Sequence, residues 1–291
     1  MRRAVAALAT AMMAAMSLVA CGGGSEITIG SANFAESQVL AAVYAQALQA
    51  KGITVDQTPP LGSREAYVPA LQDGSIDLIP DYTGTLLQYF DTKAAQTAPD
   101  EVYAALRAKL PPELTVLDMS QAQDKDAVVV PESIARKYSA TSIADLAPHC
   151  GELVFGGPPE FQIRADGIPG IKQVYNCSFQ SYKALDAGGP LTLAALRDGQ
   201  IQAADVFTTD PNIGPDHLVA LGDPKNNFAA QNVVPLINSA KATPKVRQVL
   251  NAVSAKLTTQ TLIALNAAFN APDKPDQSTV AKEWLSRNGL G

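Results

Sequence analysis

Histidine occurs only twice in these 291 residues, cysteine only three times, and lysine and arginine nowhere form a cluster. Two isolated histidines, His149 and His217, do not make a metal centre or a catalytic cluster. Neither a phosphate-cradling glycine loop nor a Gly-x-Ser-x-Gly turn is present, so the usual nucleophile, base and nucleotide motifs of an enzyme are missing. The formal charge is −6 and no basic patch offsets it, which excludes a nucleic-acid binder. Short-period repeats and heptads are also absent. The composition, 47% hydrophobic and 17% charged, is that of an ordinary globular chain with room for one large or two medium domains.

The apolar run from Ala4 to Val19 spans about sixteen residues and is rich in alanine, short of the roughly 20 that a membrane span needs. It follows Arg2 and Arg3 and ends in Leu18-Val19-Ala20-Cys21, the pattern of a bacterial lipoprotein processing site. Residues 1–20 then read as a signal peptide, and Cys21 becomes a lipidated N-terminus. Lipid on the sulfur and on the amine gives more than one chain and a stable anchor on the outer face of the cytoplasmic membrane. Gly22-Gly23-Gly24-Ser25 completes a flexible tether over 21–25. An ordinary cleaved signal is the alternative, and would leave Cys21 as an arbitrary residue where a lipobox requires one. Loss of Arg2 and Arg3 leaves 20 basic residues against 28 acidic ones, a charge of −8. With Cys21 assigned to lipid, Cys150 and Cys177 remain as a pair in an oxidising compartment and read as a disulfide. A zinc or thiolate site is the rival, and it lacks ligands.

Beyond the tether, strands and helices alternate. Glu26–Gly30, Ile53–Val55 and Ile76–Ile79 read as strands. Helices are expected from Glu36 to Lys51, with Val39, Leu40, Val43, Ala47 and Leu48 on one face, and from Ser63 to Gln72. A middle section repeats the pattern with strands at Asp126–Val130, Leu153–Phe155 and Ile201–Phe207 and helices at Glu132–Tyr138 and Leu191–Gly199. From Val233 the chain gives one more strand, a helix over Pro244–Leu257 and further helices to about Asn288. Pro235 inside that strand points to an edge or crossing position. The alternation predicts an α/β fold with mostly parallel sheets covered by helices.

The run GSREAYVPALQDGSIDLIPDYTGT from Gly62 to Thr85 is the strongest internal signature. Together with Gly30-Ser31-Ala32-Asn33-Phe34-Ala35-Glu36 and Phe207-Thr208-Thr209-Asp210, it resembles the glycine betaine, choline and carnitine binding proteins of osmoprotectant ABC importers, the ProX or OpuAC class. The resemblance covers most of the mature chain. It implies a two-lobed periplasmic-binding-protein fold, type II-like, with the ligand in the cleft and hinge closure around it. The lobes would be 26–121 plus 231–291 and 122–230. The implied function is extracytoplasmic capture of a small organic solute by a monomer that needs no cofactor or metal and presents the solute to a permease and its ATPase. An anchored solute sensor is a further alternative.

Ser31–Asn33, Gly62-Ser63 and Thr83-Gly84 each sit where a strand ends and a helix begins, positions suited to a polar ligand group or to simple helix capping. The candidate ligand residues, some at positions matching the family's motifs and some where this chain departs from them, are Asn33, Phe34, Ser63, Arg64, Tyr67, Asp81, Tyr82, Thr83, Phe161, Thr209, Asp210, Gln231 and Asn232. Tyr82 matches one of the tyrosines that enclose a trimethylammonium group in this class. Other cage tyrosines are replaced, by Gln231 before Asn232, in the Asp124-Lys125-Asp126 stretch, and by Ile168 after Asp166-Gly167, with Phe161 as a substitute. Arg64 stands where the family often has Thr. A guanidinium there suits a ligand carboxylate, or pairs with Glu65 in solvent, and it repels a cation. On that ground a neutral aromatic or polyhydroxylated ligand, stacked on Tyr67 and hydrogen-bonded to Gln231, is the alternative to a betaine-like one.

Overall fold

The computed structural model describes residues 26–291. The processing site, Cys21 and the tether lie outside the described residues. Two five-stranded sheets, each covered by helices, make up the molecule.

The first lobe begins with β1 (Ile27–Ile29), α1 (Ala35–Ala50), β2 (Val55–Gln57), α2 (Arg64–Gln72), β3 (Leu78–Tyr82), α3 (Thr83–Phe90), α4 (Pro99–Lys109) and β4 (Leu114–Val116). The chain then crosses to the second lobe, built from β5 (Asp126–Pro131), α5 (Glu132–Tyr138), α6 (Ile143–Leu146), β6 (Val154–Gly157), α7 (Ile168–Tyr175), β7 (Ser181–Ala184), α8 (Pro190–Arg197), β8 (Ala203–Phe207) and β9 (Leu218–Ala220). It returns with β10 (Val233–Asn238), α9 (Pro244–Ser254), α10 (Thr259–Phe269) and α11 (Gln277–Arg287). The sheet orders are β2-β1-β3-β10-β4 and β7-β6-β8-β5-β9. Each sheet has parallel strands at one end and antiparallel pairings at the other, where the strand following a crossing enters next to its neighbours.

Apolar patterning explains the layers. On α1 the expected face of Val39, Leu40, Val43, Ala47 and Leu48 is buried, but so are Ala41, Ala42, Tyr44 and Ala45. The returning helices α9, α10 and α11 cover the side that would otherwise meet solvent, so α1 becomes the central rod of the first lobe. Each fully buried Leu or Val there contributes about 1.5–3 kcal/mol.

Two expectations are corrected. The strand expected to end at Ile79 runs on through Asp81 and Tyr82, because β10 pairs with it from Leu78 to Tyr82, and it passes straight into α3. Pro235 does not mark an edge, since β10 lies between β3 and β4, but the crossing alternative holds, because β10 is the strand by which the chain returns to the first sheet. The proline is tolerated because it stands opposite Pro80, so neither ring faces an N–H obligation across that pair. On its other side the carbonyl of Leu117, which a Pro235 N–H would have served, accepts the Tyr103 hydroxyl at 2.9 Å instead. Cys150 and Cys177 form the disulfide, with Cα atoms 5.4 Å apart inside the second lobe's core.

The two crossing segments lie side by side. Gln123 and Asn232 form a bridge, and the N–H groups of Asp124 and Val233 donate to Gln231 and Ala122 at 3.1 and 3.0 Å.

Candidate ligand-binding site between the lobes

In open α/β sheets ligands gather at the carboxyl ends of the strands. Here the carboxyl ends of β1, β2 and β3 face the carboxyl ends of β6 and β8, with the amino end of β5 beside β8, across a cavity lined from both sides. Asn33, Phe34, Ser63, Arg64, Tyr67, Tyr82, Thr85 and Gln231 line it from the first lobe. The opposite wall is Asp126, Pro158, Glu160, Arg164, Ala187, Asp205 and Phe207, with Asp124 at the crossing.

Aromatic rings form a row across the cleft. Phe34 caps α1 with extended backbone, and its ring lies 6.0 Å from Tyr82 and 4.9 Å from Phe207 of the other lobe. The Tyr82 hydroxyl is not free: it donates to Glu36 at 2.6 Å. Glu36, in the first turn of α1, also accepts from Thr209 Oγ1 at 2.7 Å and Asn266 Nδ2 at 2.6 Å. Burial raises its pKa, and these hydrogen bonds oppose the rise. Because Thr209 follows β8 and Glu36 belongs to α1, this carboxyl ties the lobes together directly.

Arg64 is neither solvated nor paired with Glu65. Its guanidinium reaches Asp81 at 2.5 Å, and Asp81, fully buried, also accepts the Tyr67 hydroxyl at 3.0 Å and the Tyr82 N–H at 2.7 Å. Burial alone would favour loss of the Arg64 proton, but the Asp81 charge outweighs it and the group stays cationic. Its Nε has no partner. The partner of Glu65 is Arg164 of the second lobe, at 3.5 Å.

The remaining expected residues divide by role. Thr209 and Asp210 line an adjoining pocket that shares Asn33, Phe34 and Phe207 with the main cavity. The Gln231 side-chain oxygen accepts the N–H groups of Gly84 and Thr85 at 3.0 Å each, so it caps α3 from a distant segment while facing the cavity. Thr83 and Asn232 bond each other's backbone and stitch α3 to the return crossing, outside the cavity lining. Gly84 is required there, since a Cβ would sit 2.7 Å from the Ala230 carbonyl. Phe161 lies in the second lobe's core, stacked on Phe155 and packed on Phe228, and does not line the cavity.

Sequence reasoning missed Phe207 as a cavity ring and the carboxyl groups of the second lobe. Asp126 and Asp205 line the cavity from the same face of the β5–β8 pairing, and both are raised in pKa, first by burial. Asp124, also raised by burial and then by Glu36, accepts from the Thr209 N–H at 3.1 Å. The signal available was Asp205 itself, a charge inside the otherwise apolar run Ala203–Phe207.

Two lobes joined by two crossings, with a cavity lined from both sides between them, are the architecture of a two-lobed solute-binding protein. The chain belongs to the family described as the substrate binding domain of ABC-type glycine betaine transport systems, whose pattern it matches over residues 25–287. It is 28% identical to a glycine-betaine-binding protein of Pseudomonas aeruginosa PAO1, over 91% of this chain and 88% of that one. Identity to the glycine betaine-binding protein YehZ of Escherichia coli K12 is 27%, over 96% and 95%. Among solved structures, a glycine betaine/carnitine/choline ABC transporter protein shares the fold with a TM-score of 0.71 at 23% identity, over 91% of this chain and 99% of that one.

Proposed function

We propose that this chain binds a small organic cation or betaine, of the glycine betaine and choline kind, in the interlobe cavity. Acting as a monomer anchored by lipid on Cys21, it hands the ligand to a permease and its ATPase. The observation that carries the ligand class is the composition of the walls: an aromatic row of Tyr82, Phe34 and Phe207 beside four carboxyl groups, against two guanidiniums of which Asp81 engages one. A trimethylammonium group donates no hydrogen bond and is held by charge and by ring faces, at roughly 0.5–2 kcal/mol per ring. A neutral ligand calls for a free Arg64 and a depleted cage, and the Asp81 pair and the Phe34–Phe207 contact speak against both.

Closure follows from contacts made by both lobes, since only preferential binding to the closed arrangement shifts the equilibrium toward it. The hinge in this reading is the pair of crossings near 121–123 and 228–232. Titration calorimetry with glycine betaine, choline, carnitine and proline betaine, beside polyols and phenolics, tests the ligand class. Micromolar binding of a quaternary amine is expected, and binding confined to the second set would refute it. Incorporation of labelled palmitate, lost in Cys21→Ser, tests the anchor.

A further inference from the structure

Asp205 is buried in the cavity wall, on β8, and no donor reaches its Oδ1. Asp126 on β5 lines the same wall, one diagonal step away across the antiparallel pairing that sets Asp126 opposite Phe207. Two neighbouring carboxyl groups on one cavity wall repel when both are ionised, and a single proton held between them relieves that repulsion.

We propose that the Asp126–Asp205 pair holds one shared proton in the empty protein and releases it to solvent when a cationic ligand enters the cavity, so that capture of an organic cation is coupled to loss of one proton. This rests on the binding function proposed above and specifies how the site manages its charge. The bond broken is the O–H of the pair. The proton leaves to water, and the ligand's positive charge takes its place against two carboxylates.

The surroundings set the balance. From α2, Arg64 and Tyr67 face the cavity, but Asp81 already engages both. Arg164 and Glu160, after β6, bring one charge of each sign, and Arg164 favours ionisation of the pair. Asp166, before α7, and Asp124, at the crossing, add negative charge that opposes it. Tyr182 of β7 donates to the Pro158 carbonyl at 2.6 Å and stays neutral, its ionisation disfavoured by burial and by Asp205. Glu36 and Tyr82 form the far wall and bond each other. A ligand cation is therefore the change that tips the pair towards full ionisation.

The test uses the full chain in detergent with choline as the probe. Calorimetry in buffers of different ionisation enthalpy counts the protons exchanged. About one proton is expected to be released near neutral pH, with choline affinity rising about tenfold per pH unit while the pair still holds its proton. Asp205→Asn, which keeps one charge at Asp126, is expected to bind choline with no proton released and a flat pH profile. Choline binding with no proton release in the parent chain overturns the proposal and leaves the binding function standing. A second reading needs no ligand: the carboxyl carbon signals of Asp126 and Asp205 in 13C NMR of the empty protein should show one protonated group at pH 7. Two ionised carboxylates there overturn the proposal. A shared proton seen in a protein that binds no quaternary amine would instead overturn the ligand class.

Discussion

Replacing Arg64 with alanine should destabilise the first lobe before any ligand is considered. The substitution leaves Asp81, fully buried near the end of β3, without the cation it pairs with. Breaking a buried pair by removing one partner costs about 3–5 kcal/mol. Asp81 keeps the Tyr67 hydroxyl at 3.0 Å and the Tyr82 N–H at 2.7 Å, which places the loss at the lower end, about 3 kcal/mol. Trp284, the chain's one tryptophan, packs in the first lobe's core and reports that lobe's unfolding by fluorescence. With a urea dependence of about 3 kcal/mol per molar, the midpoint should fall by about 1 M. Adding Asp81→Asn should recover part of the loss, because the charge left unpaired is gone and the amide oxygen still accepts from Tyr67 or Tyr82. A midpoint unchanged in Arg64→Ala, or a double variant weaker by the sum of the two single losses, would refute the reasoning and return Arg64 to the ligand-facing role read from sequence.

Three further outcomes are expected. Tyr82→Ala removes one ring of the row and should weaken binding of a quaternary amine about 2- to 30-fold by calorimetry, from roughly 0.5–2 kcal/mol per ring, whereas Tyr82→Phe keeps the ring and removes only the donor to Glu36. Equal losses in the two variants would assign the effect to the Glu36 hydrogen bond. The Cys150–Cys177 bridge closes a separation of 27 residues, so Cys150→Ser with Cys177→Ser should lose up to about 3.5 kcal/mol, read as a lower denaturation midpoint of the second lobe. Asp166 is pushed up to about 6, by burial and then by Asp126, so the folded chain keeps a proton that the unfolded chain gives up near 3.8. Its contribution to stability is therefore greatest below about pH 4 and declines as pH rises through 6, by up to about 3 kcal/mol. Asp166→Asn should flatten the melting temperature between pH 4 and 6.5 relative to the parent, and identical slopes would exclude this group as the cause.

The order of elements was largely readable because local periodicity encodes it. The apolar spacing of α1 and the Pro244 start of α9 needed no knowledge of partners. Register across the sheets was not readable in the same way. The extension of β3 through Asp81 and Tyr82 depends on β10, more than 150 residues away, and so does the tolerance of Pro235 next to Pro80. A proline reads as an edge signal only while the opposite residue is unknown. Elements with weak patterns, such as β4, β9 and α4, escaped notice because they are short or mostly exposed and are fixed by what they pack against.

The site divides along the same line. Its first-lobe half sits on successive strand-to-helix joints, so Asn33, Phe34, Ser63, Arg64, Tyr67 and Tyr82 were named from contiguous motifs, and all of them reach the cavity. What motifs do not convey is the charge state that neighbours impose. Arg64 looked like an anion receptor because Asp81 was read as a separate candidate seventeen positions on, when the two are a single buried unit. Gln231 and Asn232 were read as a ligand pair, yet one caps α3 and the other stitches the hinge. Of the second-lobe wall, Asp126 stood out only within a stretch lacking a cage tyrosine and Asp205 not at all, because they are isolated acids in different strands that only the antiparallel pairing of β5 with β8 brings to one face. Two acids on one wall, Asp205 buried and Asp126 half-buried, are costly unless something offsets them, so their place beside a cavity makes sense once a cation is part of the account. The proposed ligand class thus rests less on the surviving tyrosine than on the carboxyl groups the fold gathers opposite it.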